Sequence, residues 1–239
     1  MTYFKSKGFP YHRGRRLRNN SYTREMISET SLSVNDLIMP YFIRDHNEDF
    51  EILGMDGVKR YDEKELVEEI ARILDLGIKS ISIFPKIPDS KKSPDGSESI
   101  NENNIVCKTL RKLKKRFDNL QVICDVALDA YTTSGHDGII DKNGVINNDM
   151  TIERLSEMSV NFAKNGCDIV APSDMMDGRV KSIRESLEKN RFSNTCILSY
   201  SSKFCSNLYL PFREALGSKD NLGNSSKSSY QIDFRNRNE

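Results

Sequence analysis

The sequence predicts an α/β fold of repeated strand–helix units on a parallel sheet. From residue 37 onward, short apolar, β-branched runs alternate with longer segments of helical period, the pattern of consecutive βα units. The runs are apolar on both faces, as strands are when helices cover one side and an interior layer the other. Polar residues collect where the runs end, at Phe84-Pro85, Asp125, Ser173-Asp174 and Ser201 to Lys203. An open doubly wound sheet and a closed barrel share the first two features. Four strands contributing to one rim favours a (β/α)8 barrel, whose chemistry sits at the C-terminal ends of its strands.

Taken in order, the first 20 residues are basic and broken by Gly8, Pro10 and Gly14, which suits an extended arm. We assign residues 1–30 to this arm and its leading segment and 31–239 to the barrel domain. Strands are expected at Leu37–Ile43, Ser80–Phe84, Gln121–Val126, Asp168–Pro172 and Thr195–Tyr200. Between them fall four helical stripes: Leu66, Ile70, Ile73, Leu74; Ile105, Val106, Leu110, Leu113; Ile152, Leu155, Met158, Phe162; and Val180, Ile183, Leu187 behind an Asp177 cap. The stretch Ser218–Ser229, rich in Ser, Gly and Asn, reads as a mobile lid. A whole barrel takes about 250 residues and eight strands. Five strands in 239 residues therefore imply about the first five βα units of an incomplete barrel.

Composition excludes several classes. Lys+Arg at 36 against Asp+Glu at 35 gives a formal charge of +1, so no global field argues for nucleic acid or an anionic membrane. No run approaches the roughly 20 apolar residues of a membrane span, and the N-terminus lacks the apolar centre of a signal peptide. Cys107, Cys124, Cys167, Cys196 and Cys205 form no CxxC pair, which fits reduced thiols in a cytoplasmic protein.

Four segments carry chemistry. Lys203 follows the strand ending at Tyr200; on position alone it reads as a surface lysine, or, if desolvated there, as an amine nucleophile for a ketone with its pKa lowered from about 10.4 towards neutrality. The loop after Cys124 places three carboxylates, Asp125, Asp129 and Asp137, with His136. They could hold a hard cation, orient a substrate ammonium or tune a nearby lysine, or serve as turn residues. Ala171 to Arg179 joins a strand to a helix with Ser173, Asp174 and Asp177 at the junction, a place suited to a polar ligand or to simple capping. Arg213, after Pro211-Phe212, supplies a cation able to pair with a carboxylate.

Together, RGRRLR (13–18), DLIMPYFI (36–43), CDVALDAYTTSGHDG (124–138), APSDMMDGR (171–179), LSYSSKF (198–204), PFREA (211–215) and SYQID (229–233) resemble the porphobilinogen synthase (5-aminolevulinate dehydratase) family, in order and across essentially the whole chain. The resemblance implies a hydro-lyase that joins two 5-aminolevulinate molecules into porphobilinogen through lysine Schiff bases. It makes Lys203 the first of two active-site lysines, with Asp125 and Ser173 lining the site. Phe212, Arg213 and Lys227 would hold one substrate's carboxylate, and Gln231, Asp129 and Asp137 fall among the substrate-binding residues. Zinc-dependent members carry three cysteines where this chain has Ala127, Asp129 and Asp137. Zinc is therefore not expected, and the aspartate-rich, magnesium-associated branch is.

The family's second lysine and its magnesium-binding glutamate would lie beyond residue 239, so the 239 residues alone are not expected to synthesise porphobilinogen. Family members assemble as homo-octamers through the arm. Two other readings stay open: another Schiff-base barrel lyase of the class I aldolase type using Lys203 alone, and a catalytically inactive remnant that binds a partner through its arm.

Overall fold

The structure, a computed structural model, describes residues 8–238 and falls into two compact units, Met1–Asp36 and Leu37–Glu239. In the first, Gly14–Arg18 makes a 3-10 turn and α1 spans Ser21–Met26. Asn20 starts α1 by accepting the Thr23 N–H at 2.8 Å, a capping signal that a purely extended arm overlooks. Neither element buries a residue.

The second unit is built on a six-stranded, wholly parallel sheet. Its strands are β1 (Ile38–Ile43), β2 (Arg60–Tyr61), β3 (Ser80–Pro85), β4 (Gln121–Val126), β5 (Ile169–Pro172) and β6 (Cys196–Ile197), in the order β2-β1-β3-β4-β5-β6. The crossover helices are α2 (Glu63–Asp75), α3 (Ile105–Arg116), α4 (Asn148–Lys164) and α5 (Arg179–Lys189). Each follows from its apolar stripe. Leu66, Ile70 and Ile73 of α2, Val106, Leu110 and Leu113 of α3, and Leu155, Met158 and Phe162 of α4 are all buried, each worth about 1.5–3 kcal/mol when removed from water. Asp62 and Glu65 form a reciprocal capping box on α2.

Three expectations need correction. Asp177 does not cap α5: Gly178, at φ 78, holds that position with no side-chain cap, while Asn148 takes both the N–H and the carbonyl of Asp177. Val180 is 40% exposed, so the α5 stripe narrows to Ile183 and Leu187. The last strand pairs over Cys196–Ile197 alone, although Leu198 and Tyr200 still donate to Val170 and Pro172 at 2.9 and 3.2 Å. As the edge of the described sheet it has no further neighbour to keep it regular, and Leu198 and Tyr200 stay exposed.

After β6 come two short helices, α6 (Leu210–Leu216) and α7 (Lys219–Leu222). Pro211 opens α6 and Gly217, at φ 66, closes it. The α7 turn lies against the loop after β4 so closely that a Cβ on Gly135 would sit 2.6 Å from the Ser218 carbonyl. The start of the segment read as a lid, from Ser218 to Leu222, thus packs against that loop, while most of the rest is exposed.

Candidate active site

Adjacent parallel strands end side by side, and that brings the first site residues together. Asp125 lies on β4 opposite Ala171 of β5, and Ser173 follows β5 directly, its Oγ donating to Asp125 Oδ1 at 2.6 Å. Lys203 follows β6 and donates from Nζ to the Ser173 carbonyl at 2.8 Å and to Asp137 Oδ1 at 2.9 Å. Its backbone is tied to the segment carrying Lys227: Ile232 N–H donates to the Lys203 carbonyl and Cys205 N–H to the Ile232 carbonyl, both at 3.0 Å. Met175, next in the loop, is held at φ 67, a strained conformation for a side chain of this kind and one that collects at functional sites.

The loop after β4 contributes a second layer. Lys227 Nζ bridges Asp129 Oδ2 at 3.0 Å and Asp137 Oδ2 at 2.7 Å. Tyr230 Oη donates to Asp137 Oδ2 at 2.9 Å and lies 3.0 Å from His136 Nδ1. Tyr230 carries no role in the sequence pattern, and His136 is a hydrogen-bonded structural group beside it. Asp125, Asp129, Asp137, Ser173, Lys203, Lys227 and Gln231 are all buried.

Counting charge accounts for the titration of the group. Two buried ammoniums can balance two of the three buried carboxylates, and the third must carry its proton or stand unpaired. Burial would raise Asp137, but Lys203 and Lys227 outweigh it and hold the carboxyl well below its ordinary range. Asp125 is the group left over: burial pushes it up to about 7, against the Ser173 hydrogen bond and the Lys203 charge. For Lys203, burial favours the neutral amine as expected. Yet Asp137, Asp129 and Asp125 outweigh burial and hold the ammonium above its ordinary value. The expected fall towards neutrality is therefore reversed in the ligand-free site, because the desolvating pocket is also an anionic one.

Beside this network is a cavity of about 90 Å³ lined by Phe84, Asp125, Ser173, Tyr200, Lys203, Tyr209 and Phe212. Phe212 closes it, edge-on to Phe84 and Phe42 with centroids 5.4 and 5.9 Å apart. Tyr209 places its ring 5.9 Å from Lys203 Nζ. The guanidinium of Arg213, a half-buried residue, makes no hydrogen bond or ion pair among the described residues, and the Gln231 Oε1 is buried without a partner. Neither group is spent on a protein partner, and neither is among the residues lining the cavity. Lys227, by contrast, reaches a ligand carboxylate only by exchanging Asp129 or Asp137 for it.

A zinc site does not fit here: Ala127 offers no donor, and the Asp129 and Asp137 oxygens already accept from lysines. The Lys227 ammonium takes the bridging position that a cation would take between Asp129 and Asp137. Zinc-specific chelation is accordingly expected to leave Lys203 chemistry in this chain unchanged; loss of that reactivity on chelation, restored by zinc, would contradict the geometry.

The family model for delta-aminolevulinic acid dehydratase matches residues 11–239. The chain belongs to that family. A dehydratase of the archaeon Methanothermus sociabilis is 47% identical over 226 residues, 94% of this chain and 69% of the relative. The chloroplastic dehydratase of Glycine max is 44% identical over 95% of this chain and 55% of its own length. The crystal structure of the Toxoplasma gondii ME49 dehydratase, in complex with the reaction product porphobilinogen, superposes with a TM-score of 0.88 at 39% identity, covering 94% of this chain and 64% of that one. This dehydratase-family chain thus spans little more than half of the plant relative, and its parallel sheet corresponds to part of the TIM barrel of such a dehydratase. No helix among the described residues is long and apolar enough to cross a membrane.

Proposed function

We propose that the chain carries the Lys203 half of a porphobilinogen synthase, the hydro-lyase that condenses two 5-aminolevulinate molecules to porphobilinogen in tetrapyrrole (haem) biosynthesis. The observation that supports it most is Lys203 buried at the strand ends between Asp137 and the Asp125–Ser173 pair, in a family whose solved Toxoplasma member binds porphobilinogen.

In this reading the substrate's carboxylate meets Arg213, joined by Lys227 and Gln231, and its ketone faces Nζ in the cavity. Lys203 first yields a proton to Asp137 Oδ1, the acceptor in contact at 2.9 Å; Lys203 and Lys227 hold that carboxyl low, so the transfer is uphill until the substrate's entry weakens the ion pair. The amine then attacks the carbonyl carbon, a C–N bond forms, and the carbinolamine loses its hydroxyl as water with a proton from the Asp125–Ser173 pair. With a carboxyl near 7, Asp125 is matched to that task at neutral pH. The rate of borohydride-trapped imine formation should therefore fall as pH rises through about 7, and Asp125→Asn should remove that limb of the profile. A wild-type profile flat from pH 5 to 9 would sink the assignment.

The aldolase-type alternative predicts trapping with simple ketones and no benefit from a carboxylate. The unpaired Arg213 favours the keto acid. Magnesium, the metal of the aspartate-rich branch, belongs to the same proposal, with no part of the Lys203 step routed through it.

The homo-octamer and the cytoplasmic compartment belong to the same proposal. Phe9, Tyr11, Tyr22, Met26 and Leu32 of the first unit are each more than 70% exposed, an apolar surface suited to packing on a second subunit. Deleting residues 1–20 should lower the assembly size in sedimentation; an unchanged size would exclude that role for the arm.

A further inference from the structure

Arg60 is 2% exposed, yet its guanidinium meets no carboxylate at ion-pair distance among the described residues. It donates to four backbone carbonyls: Nε to Ala215 at 2.7 Å, one terminal nitrogen to Glu214 at 2.5 Å, and the other to Glu51 and, at 3.2 Å, to Asp49. Leaving a buried cation without a counterion is costly unless its hydrogen bonds are satisfied. Here the C-terminal end of α6 satisfies half of them, because its last carbonyls, of which Glu214's also accepts the capping Gly217 N–H at 3.0 Å, carry the negative end of its dipole. On the other side Lys92, its side chain 1% exposed, donates from Nζ to the Gly217 carbonyl at 2.7 Å and to Asn221 Oδ1 at 2.6 Å, and pairs with Asp89 at 2.8 Å. Two buried cations therefore hold the exit of a seven-residue helix that is too short to hold itself in water.

That helix presents Phe212 and Arg213. The frame holding it is the sheet itself, since Arg60 stands opposite Phe42 in the β1–β2 pair, and Phe42 packs on Phe212. We propose that Arg60 is a positioning residue for the carboxylate end of the substrate, fixing Arg213 relative to Lys203 by clasping α6 from behind, with Lys92 completing the clasp. The proposal rests on the reading of Arg213 as the carboxylate's partner.

The experiment uses the 239-residue chain with Arg60→Lys, Arg60→Gln and Lys92→Met. Borohydride trapping at Lys203 is measured against concentration with levulinate (4-oxopentanoate) and with its uncharged methyl ester, and folding is followed by thermal melting. Arg60→Lys keeps the charge but loses the planar fork. In the Arg60 variants the half-saturating levulinate concentration should rise at least about tenfold, with the ester's unchanged within about twofold. Lys92→Met should move levulinate in the same direction. A merely structural role would shift both probes together or neither, and either result overturns the proposal, as does failure of all three variants to fold. A wild-type chain that is trapped no better by levulinate than by the ester overturns the Arg213 reading itself. A wild-type preference that survives Arg60→Lys and Arg60→Gln overturns the positioning role alone.

Discussion

Replacing Asp137 with Asn should destabilise the second unit by about 3–5 kcal/mol, the cost of removing one partner from a buried ion pair. Asp137 is fully buried and contacts two lysines, Lys203 at 2.9 Å and Lys227 at 2.7 Å, both nearly as buried. The substitution leaves Lys227 with Asp129 alone and Lys203 with no carboxylate in contact. The pH dependence has a definite sign. Asp137 is depressed in the fold, so its contribution is present above its ordinary value of 3.8 and is lost as pH falls. Asp125 is raised, so its contribution is present below 3.8 and is lost as pH climbs towards about 7. Wild type should weaken sharply on acidification, and Asp137→Asn should flatten that acid limb. Urea unfolding at several pH values measures both effects. A variant within about 1 kcal/mol of wild type at pH 7 would mean that the pair contributes little.

Lys203→Ala should abolish imine trapping of 5-aminolevulinate, a loss of at least about a hundredfold, because no other group in the cavity is an amine nucleophile. The seven residues lining that cavity include Lys203 as their one lysine. The remaining buried lysine of the network, Lys227, is committed to Asp129 and Asp137. The fold should survive this substitution better than Asp137→Asn, since Lys227 still balances Asp137. Trapping undiminished in a folded Lys203→Ala chain would remove the nucleophile from the account.

Much of the fold was legible in the sequence because parallel βα units write themselves as apolar runs and stripes. The four crossover helices and five of the strands lie where periodicity puts them. The two-residue β2 was invisible, since Arg60-Tyr61 has no apolar alternation to read, and the last strand was overestimated because the apolar pattern of Thr195–Tyr200 does not reveal that it is an edge. Asp125, Ser173 and Lys203 stand out by position, each at or just past a strand end, but position alone leaves Lys203 readable as a surface lysine and Asp125 as a turn residue, and the family resemblance is what marks all three. Their mutual charge could not be read: Lys203 looked like a desolvated amine until the fold set Asp137 against it from a loop 66 residues away. The clasp by Arg60 and Lys92 was unreadable for a similar reason, since the acceptors that tie them to the exit of α6 are backbone carbonyls more than a hundred residues distant, and backbone acceptors leave no mark in a sequence. Tyr230 had a signal, an aromatic hydroxyl three residues from Lys227 in SYQID, but only the folded loop shows what it bonds.

The most direct measurement is peptide mapping of the chain reduced with borohydride in the presence of 5-aminolevulinate. Imine formation at the strand-end lysine predicts one dominant adduct, its mass increment on the peptide containing Lys203 and absent from Lys203→Ala. An adduct on Lys227, or increments spread over surface lysines with Lys203 unlabelled, would contradict it.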